Sequence, residues 1–429
     1  MMTAREAALR ALLACAKQGA WSDGILKELL WDMDRREAAL ASRLCYGVLQ
    51  NRMLLDFRME PFLRGKLQPV VREILRLAVY QLTEMDKIPA SAAVNEAVEQ
   101  AKRHANPQAA RVVNGILRSL LRAGTLPAPT DLSVKYSHPK ELAELLLAHY
   151  GDKTEALLAS HNQAPATVVQ VNTLCATAEQ VEEALSEAGA KVTAHPWLSE
   201  CFTVSGTGNL ERMEAFRKGW FYVQDVAARL AVEAAGVQAG QRVLDCCAAP
   251  GGKSFAAAIA MKNQGTLFSC DIHSHKLKLM EKGSARLGIT IQTTHLQDAS
   301  GFVPEWEESM DTVIADVPCS GLGVIRKKPD IRYKDLAQTE ALPPLQSRIL
   351  DNQAKYVKPG GVLLFSTCTI LPRENEAVAE EFLKKHPNFA LETVEYPDGS
   401  GIPSAGMTTL LPCDHDTDGF FICKCRRKP

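Results

Sequence analysis

Two cysteines stand where thiol chemistry could be done. Asp316-Val317-Pro318-Cys319-Ser320-Gly321 closes one short apolar run, and Ser366-Thr367-Cys368-Thr369 closes another. A buried cysteine is by default an inert small hydrophobe. These two differ from the rest of the 12 cysteines because both follow strands expected in one sheet. A free thiol titrates near about 8.5, so only about a few per cent is thiolate at neutral pH unless a neighbour lowers its pKa. Asp316 cannot do so, being an anion, and Lys253 is the cationic candidate. Lys253 lies in a third informative segment, Val243-Leu244-Asp245-Cys246-Cys247-Ala248-Ala249-Pro250-Gly251-Gly252-Lys253-Ser254, which runs from a buried strand through a glycine turn into an apolar helix. That order makes a cofactor-cradling loop, in which Gly251 and Gly252 let the backbone approach a ligand without a Cβ in the way.

Gly252-Lys253-Ser254 also ends like a triphosphate-binding loop, but such a loop needs a glycine where Cys247 stands. A structural turn without a ligand is the plain alternative, and the downstream residues weigh against it. Gly265 to Asp271 reads as a second strand ending in a carboxylate, at the spacing where a Rossmann-type fold holds a ribose. Met310 to Asp316 and Gly361 to Ser366 read as further strands, each an apolar run suited to a sheet buried on both faces. Helical stretches fall between them, at Lys276 to Leu287 and Leu345 to Val357. Strand and helix alternate, so the C-terminal half is expected to be an α/β doubly wound, Rossmann-like sheet with its ligands beyond the carboxyl ends of the strands.

The glycine loop, the Pro-Cys and Thr-Cys pairs and several shorter segments resemble the S-adenosylmethionine (SAM) dependent RNA cytosine-5 methyltransferases. The shorter segments are Gln224-Asp225, Gly321 to Arg332, Leu371-Pro372-Arg373-Glu374-Asn375 and Asp418-Gly419-Phe420-Phe421. Within that family the chain is most similar to the RsmB-type enzymes of small-subunit (16S) ribosomal RNA. The resemblance implies SAM as cofactor, held by Cys247, Ala248, Ala249, Pro250, Gly251, Gly252 and Lys253, with Asp271 at the ribose, Asp298 near the adenine, and Asp316. Asp298 reads equally well as a turn or helix-capping aspartate. Carbon 5 of cytosine is a poor nucleophile, and adding a thiolate to carbon 6 makes the ring enamine-like. By resemblance Cys368 attacks, Cys319 assists release, and Asp316 faces the ring nitrogen and exocyclic amine. The reversed assignment, with the Pro-Cys thiol attacking, stays open. Cys246 stands where the family more often has leucine, and with Cys247 and Cys270 it reads as packing.

The N-terminal texture is different. From about Thr3 to Arg122 the chain reads as successive helices, followed by a linker at residues 123–130. In the last helix Val112, Val113, Ile116, Leu117, Leu120 and Leu121 are expected on one apolar face, with Arg111, Arg118 and Arg122 opposite. Residues 101–140 carry seven Lys or Arg against one Asp or Glu. This stripe and the loop with Arg326, Lys327, Lys328, Arg332 and Lys334 suit phosphate contact, or are simply solvated charge. The region resembles the all-α, NusB-like RNA-binding domain that precedes the catalytic part of RsmB-type enzymes. The expected domains are residues 1–128 (NusB-like), 129–222 (small α+β) and 223–429 (methyltransferase).

Formal net charge is only -1, so nucleic-acid binding must come from local patches. With 46% hydrophobic residues the chain can fill large cores, yet no stretch is long and apolar enough to span a bilayer. Arg5 and Glu6 break up any secretory apolar region, and scattered cysteines favour a reducing cytoplasm. Cys413, Cys423 and Cys425 are too irregularly spaced for zinc, so no metal is expected. The expected function is SAM-dependent methylation of a cytosine in ribosomal RNA, without a membrane partner. The alternatives are a related enzyme of transfer RNA or another ribosomal site, or a non-catalytic RNA-binding assembly factor.

Overall fold

The computed structural model describes residues 2–18 and 22–429. The chain divides into two compact units, one of Met1–Gln163 with Ile325–Lys334 and one of Ala164–Val324 with Asp335–Pro429.

The first unit is helical: α1 (Ala4–Gln18), α2 (Ser22–Leu29), α3 (Arg35–Met59), α4 (Pro69–Glu84), α5 (Ala90–His104) and α6 (Pro107–Ala123), then α7 (Leu132–Lys135), α8 (Lys140–Tyr150) and α9 (Thr154–Ser160). Asn106 starts α6 by accepting a hydrogen bond from the Ala109 amide at 2.8 Å. Val113, Ile116, Leu117 and Leu120 then recur at helical spacing and enter a core with Leu9, Leu44, Val48 and Leu75. Val112 and Leu121, expected on that face, are instead 43% and 40% exposed. Each sits about 40° of helix rotation beyond the edge of the stripe, Val112 outside Ile116 and Leu121 outside Leu117. Arg111, Arg118 and Arg122 are exposed.

Helices α7–α9, within the stretch 129–222 expected as the small α+β domain, cluster with this unit. One expectation changes here. The basic loop expected to meet phosphate is largely internal: Arg332 is 1% exposed and Arg326 is buried as well. The loop meets a kink in α3, where Asn51 leaves helical geometry (φ −114°, ψ 16°) and the Leu54 amide donates to Ser137 Oγ at 3.0 Å, which leaves the Gln50 carbonyl open to another donor. Arg332 Nη1 donates to the Gln50 carbonyl at 2.9 Å and to Asn162 Oδ1 at 2.8 Å, and the Tyr333 hydroxyl donates to the Leu49 carbonyl at 2.8 Å. A guanidinium with five donors can cap such a cluster, and burial pushes its pKa down to about 10. Lys328 stays exposed, 4.0 Å from Asp23.

The second unit opens with β1 (Thr167–Val171), α10 (Ala178–Glu187), β2 (Lys191–Ala194), β3 (Cys201–Ser205), α11 (Glu214–Arg217) and β4 (Phe221–Val223), an antiparallel sheet in the order β2-β3-β1-β4. Then follow α12 (Val226–Ala235), β5 (Arg242–Asp245), α13 (Gly252–Ala260), β6 (Thr266–Asp271), α14 (Ser274–Leu287), β7 (Gln292–Leu296), β8 (Met310–Asp316), α15 (Leu342–Gln353), β9 (Val357–Thr367), α16 (Glu376–Lys385), β10 (Phe389–Leu391), β11 (Met407–Leu410), α17 (Pro412–His415) and β12 (Phe420–Arg427). The large sheet is doubly wound, in the order β10-β12-β9-β8-β5-β6-β7, with β11 on β12. Strands β5 to β9 are mutually parallel, and β10 to β12 add an antiparallel edge. Between β7 and β8 the alternation lapses, a short 3-10 turn at Pro304–Trp306 standing in place of a helix.

Period-two alternation distributes the strands between two cores. Val243, Leu267, Ile314 and Leu364 pack with α12 and α13, while Leu244, Val313, Leu363 and Phe365 pack with α15 and α16. The small sheet is buried on both faces too. Val169, Phe202 and Phe221 meet α10, whereas Val168, Cys201 and Tyr222 join the core shared with α12. Asn172 pins the two sheets, donating to the carbonyls of Gly219 and Leu287 at 2.8 Å each.

Gly219 sits at this seam with φ +75°, and a Cβ there would lie 2.0 Å from the Arg286 carbonyl oxygen. Gly219→Ala should therefore destabilise the second unit by about 2 kcal/mol or more, the scale of backbone strain with a fixed clash. Urea unfolding followed by fluorescence would measure it, and an unchanged midpoint would show that the seam yields freely.

Candidate active site

The parallel strands run outward from β5 in both directions, and the chain reverses between β5 and β8. At such a reversal the loops at the carboxyl ends separate and leave a crevice. The loop after β5 begins with the Cys246 amide donating to the Ile314 carbonyl at 3.0 Å and the Ala248 amide to the Cys270 carbonyl at 2.8 Å, which ties it to both neighbours. Ala249-Pro250 is a cis peptide. Gly251 then caps α13 with φ +113°, and a Cβ there would lie 2.4 Å from the Phe255 ring. Glycine is thus demanded at this position by backbone and packing. At Gly252 a Cβ would come 3.3 Å from Gln224 Nε2. Gln224 keeps a buried carbonyl oxygen with no hydrogen-bond partner, and so does Asp245 with Oδ1. Unpaired acceptors beside a glycine-rich helix start fit a ligand that brings its own donors.

Lys253 extends from α13 to Asp316 at the end of β8, Nζ to Oδ2 2.7 Å, with its ammonium 5.0 Å from the centre of the Phe420 ring. Burial works against its charge, but Asp316 outweighs that and holds its pKa above the ordinary lysine value. The other oxygen of Asp316 accepts from the Ser366 hydroxyl at 2.9 Å. Because β8 and β9 are paired neighbours, the residues just past their ends meet: Cys319 Sγ and Cys368 Sγ are 3.3 Å apart. The hydrogen bond shared with Cys319 lowers the pKa of Cys368, burial and Asp316 oppose, and Lys253 adds a smaller pull downward. The same bond, with burial, raises Cys319 well above the usual thiol range. The shifts favour the thiolate at Cys368 over that at Cys319, an arrangement suited to nucleophilic addition followed by proton transfer.

Asp271 is the last residue of β6, and Asp298 lies two residues past the end of its partner strand β7. Asp271 Oδ1 accepts from the His273 amide at 2.9 Å, and Oδ2 lies 3.4 Å from Lys276 Nζ. Asp298 closes a turn by accepting from the Ser300 amide and hydroxyl, at 2.9 and 2.8 Å, which hold its carboxyl below the usual range. Its turn role is present in the geometry. Ile272 and Leu296, 58% and 60% exposed, add apolar surface at these strand ends that the sequence reading passed over. Among the described residues no group of three or more His, Cys, Asp or Glu is arranged to hold a metal ion.

Asp245 was also passed over, although it is the one ionisable residue closing the apolar run of β5. Fully buried, it accepts from the Ser254 hydroxyl at 2.7 Å, and Ser254 in turn bonds Ser269 at 2.8 Å. Burial raises its carboxyl to about 7, with Ser254 and Lys253 pulling the other way. A raised carboxyl binds its proton more tightly folded than unfolded, so this residue costs stability as pH climbs from about 4 to about 7. Asp245→Asn removes that cost while keeping an acceptor for Ser254. It should be more stable than the parent by about 2–4 kcal/mol at pH 8, with the gap closing toward pH 4. Urea midpoints at the two pH values would check this, and a gap independent of pH would show that Asp245 is charged throughout.

Comparison with known proteins matches three stretches of the chain to family models. Residues 2–122 match the NusB family, 138–211 the ferredoxin-like domain of RsmF/B-like methyltransferases, and 234–426 the family described as 16S rRNA methyltransferase RsmB/F. The chain is 35% identical to the probable ribosomal RNA small subunit methyltransferase B of Bacillus subtilis, over 99% of this chain and 98% of that one. It is also 35% identical to the protein of the same name from Synechocystis, over the full length of both. The crystal structure of the protein PH0851 superposes with a TM-score of 0.83 at 28% identity, covering 98% of each chain. A helical NusB-like region, a small ferredoxin-like sheet and a Rossmann-like methyltransferase sheet with two thiols at its crevice place the chain in the RsmB/F family of 16S rRNA methyltransferases.

Proposed function

We propose that this protein methylates carbon 5 of a cytosine in small-subunit ribosomal RNA, using SAM and a transient bond between Cys368 and the base. The carrying observation is the pair of sulfurs 3.3 Å apart, with Cys368 held below and Cys319 above the ordinary thiol range. SAM, when bound, supplies an electrophilic methyl group. The loop Cys247 to Lys253 would hold it with Asp271 and Asp298, the unpaired acceptors of Gln224 and Asp245 being compatible with a ligand that donates. Cys368 as thiolate adds to carbon 6, and the electron pair this releases makes carbon 5 nucleophilic. After methylation carbon 5 carries both its proton and the new methyl. A base takes that proton, the freed pair restores the ring double bond, and the carbon 6–sulfur bond breaks with its pair leaving on Cys368 as thiolate. Cys319, its own proton passed to solvent, assists this release. Asp316, oriented by Lys253 and Ser366, faces the polar edge of the base. The target must leave the stack, because the carbon 6 face is covered inside a helix. Arg111, Arg118 and Arg122 are candidates for phosphate contact, and a ribosomal substrate makes the cytoplasm the working compartment.

Asp271→Ala should weaken SAM binding by about 1.5–3 kcal/mol, the scale of hydrogen bonds to a charged group, with the fold intact. Calorimetry on the folded variant would test this, and unchanged affinity would remove Asp271 from the site. The thiols should be separable as well. Cys368→Ala should abolish methyl transfer and form no bond to RNA. Cys319→Ala should still attack and methylate but release poorly, so a protein band carrying label from methyl-labelled SAM, sensitive to ribonuclease, should accumulate on a denaturing gel. An adduct in Cys368→Ala that needs Cys319 would reverse the assignment.

A further inference from the structure

We propose that the hydroxyls of Ser320 and Thr369 form a latch that sets the gap between the two thiols, which makes both of them positioning residues. The inference rests on the roles proposed above for Cys319 and Cys368 and deepens them. Each of the two residues directly follows its cysteine, and their hydroxyls meet at 2.7 Å. Both are closed to solvent, at 1% and 0% exposure. The ladder between β8 and β9 ends at the pair Asp316–Ser366, followed by a bond from the Val317 amide to the Ser366 carbonyl at 3.2 Å and, past Cys319, one from the Gly323 amide to the Cys368 carbonyl at 3.0 Å. Between those two backbone bonds regular strand pairing no longer dictates how far apart the loops run at the thiols. The latch is a side-chain contact at the level of the sulfurs.

Its two halves are themselves held by the segment Leu371 to Asn375, which the sequence singled out without giving it a role. Glu374, fully buried, accepts from the Ser320 amide at 2.8 Å and from Gln346 Nε2 at 3.3 Å, and Gln346 also donates to the Pro318 carbonyl at 2.9 Å. On the other loop, Asn375 Nδ2 donates to the Thr369 carbonyl at 3.0 Å. One short stretch therefore clamps the Pro-Cys loop through its backbone and the Thr-Cys loop through its carbonyl, and the hydroxyl pair joins the two. A sulfur–sulfur hydrogen bond is weak and long, so small loop displacements would undo the sharing of one proton between the thiols. A bond between buried hydroxyls is stiffer and has no water to replace it.

The test needs no RNA. Diamide oxidises two neighbouring thiols to one disulfide, its diazene taking up the two hydrogens to become a hydrazine. In the full-length protein the Cys319–Cys368 crosslink would be followed by mass spectrometry of unreduced peptides. Thr369→Val, which keeps the shape and loses the hydroxyl, and Ser320→Ala should each slow crosslinking by about tenfold, the worth of one buried hydrogen bond. Thr369→Ser, which keeps the hydroxyl, should crosslink near the wild-type rate. In methylation assays the first two should lower kcat and leave the KM for SAM unchanged. Folded Thr369→Val and Ser320→Ala proteins that melt earlier yet crosslink and turn over at wild-type rates would overturn the latch and reduce it to packing. Should Thr369→Val fail to fold, Ser320→Ala carries the same comparison. Methyl transfer surviving in Cys368→Ala would sink the nucleophile assignment, while the crosslinking rates would still decide the latch.

Discussion

Burial of the parallel strands on both faces is the constraint from which the catalytic unit follows. Strands β8 and β9 present apolar side chains to a core above and a core below, so a polar group along their length would lose water without a partner. Ionisable residues are confined to the strand ends, and the fold decides which end. With the chain reversing between β5 and β8, the carboxyl-end loops of β5, β8 and β9 face one crevice, and Lys253, Asp316, Cys319 and Cys368 collect there. Charge in that setting has to be matched locally. The Lys253–Asp316 pair does this; what makes Cys368 the more acidic thiol is its hydrogen bond with Cys319, to which Lys253 adds a smaller pull that Asp316 opposes.

The strands and the glycine turn were legible because burial writes itself into composition: Val313 to Ala315 is an unbroken apolar run that stops at the carboxylate of Asp316. The two cysteines could be singled out for the same reason, each following such a run. Their hydroxyl neighbours could not. Ser320 and Thr369 look like ordinary loop residues until β8 and β9 are known to be adjacent, and adjacency of strands 40 residues or more apart leaves no local mark. Asp245 was hidden by its surroundings in the opposite sense, since a carboxylate at a strand end reads as solvated, whereas Ser254 and Ser269 enclose it.

The basic loop shows where charge misleads. Arg326 and Arg332 follow one another closely with lysines between, a pattern that usually marks a wet surface. What meets it is a backbone event 280 residues upstream, the kink at Asn51, which leaves the Gln50 carbonyl open to another donor. An arginine satisfies several carbonyls at once, and its charge is offset by carbonyl dipoles rather than by a partner ion. In α6, by contrast, periodicity spoke for itself over its central residues and failed only at the stripe's margins, at Val112 and Leu121.

The decapeptide Ile325–Lys334 also imposes an order on synthesis. A nascent chain that has emerged as far as Gln163 holds the α-helices described for the first unit but not the arginine that caps the broken turn of α3. That residue arrives only after most of the parallel sheet has been translated, a wait of about 10–30 s at typical elongation rates of roughly 5–20 residues per second. During that interval the amino-terminal helices stand with bare carbonyls, able to recruit water or a chaperone in place of their own guanidinium. Completion of the older half is thus timed by the younger one, and a fragment cut at the apparent boundary would be a permanently unfinished protein.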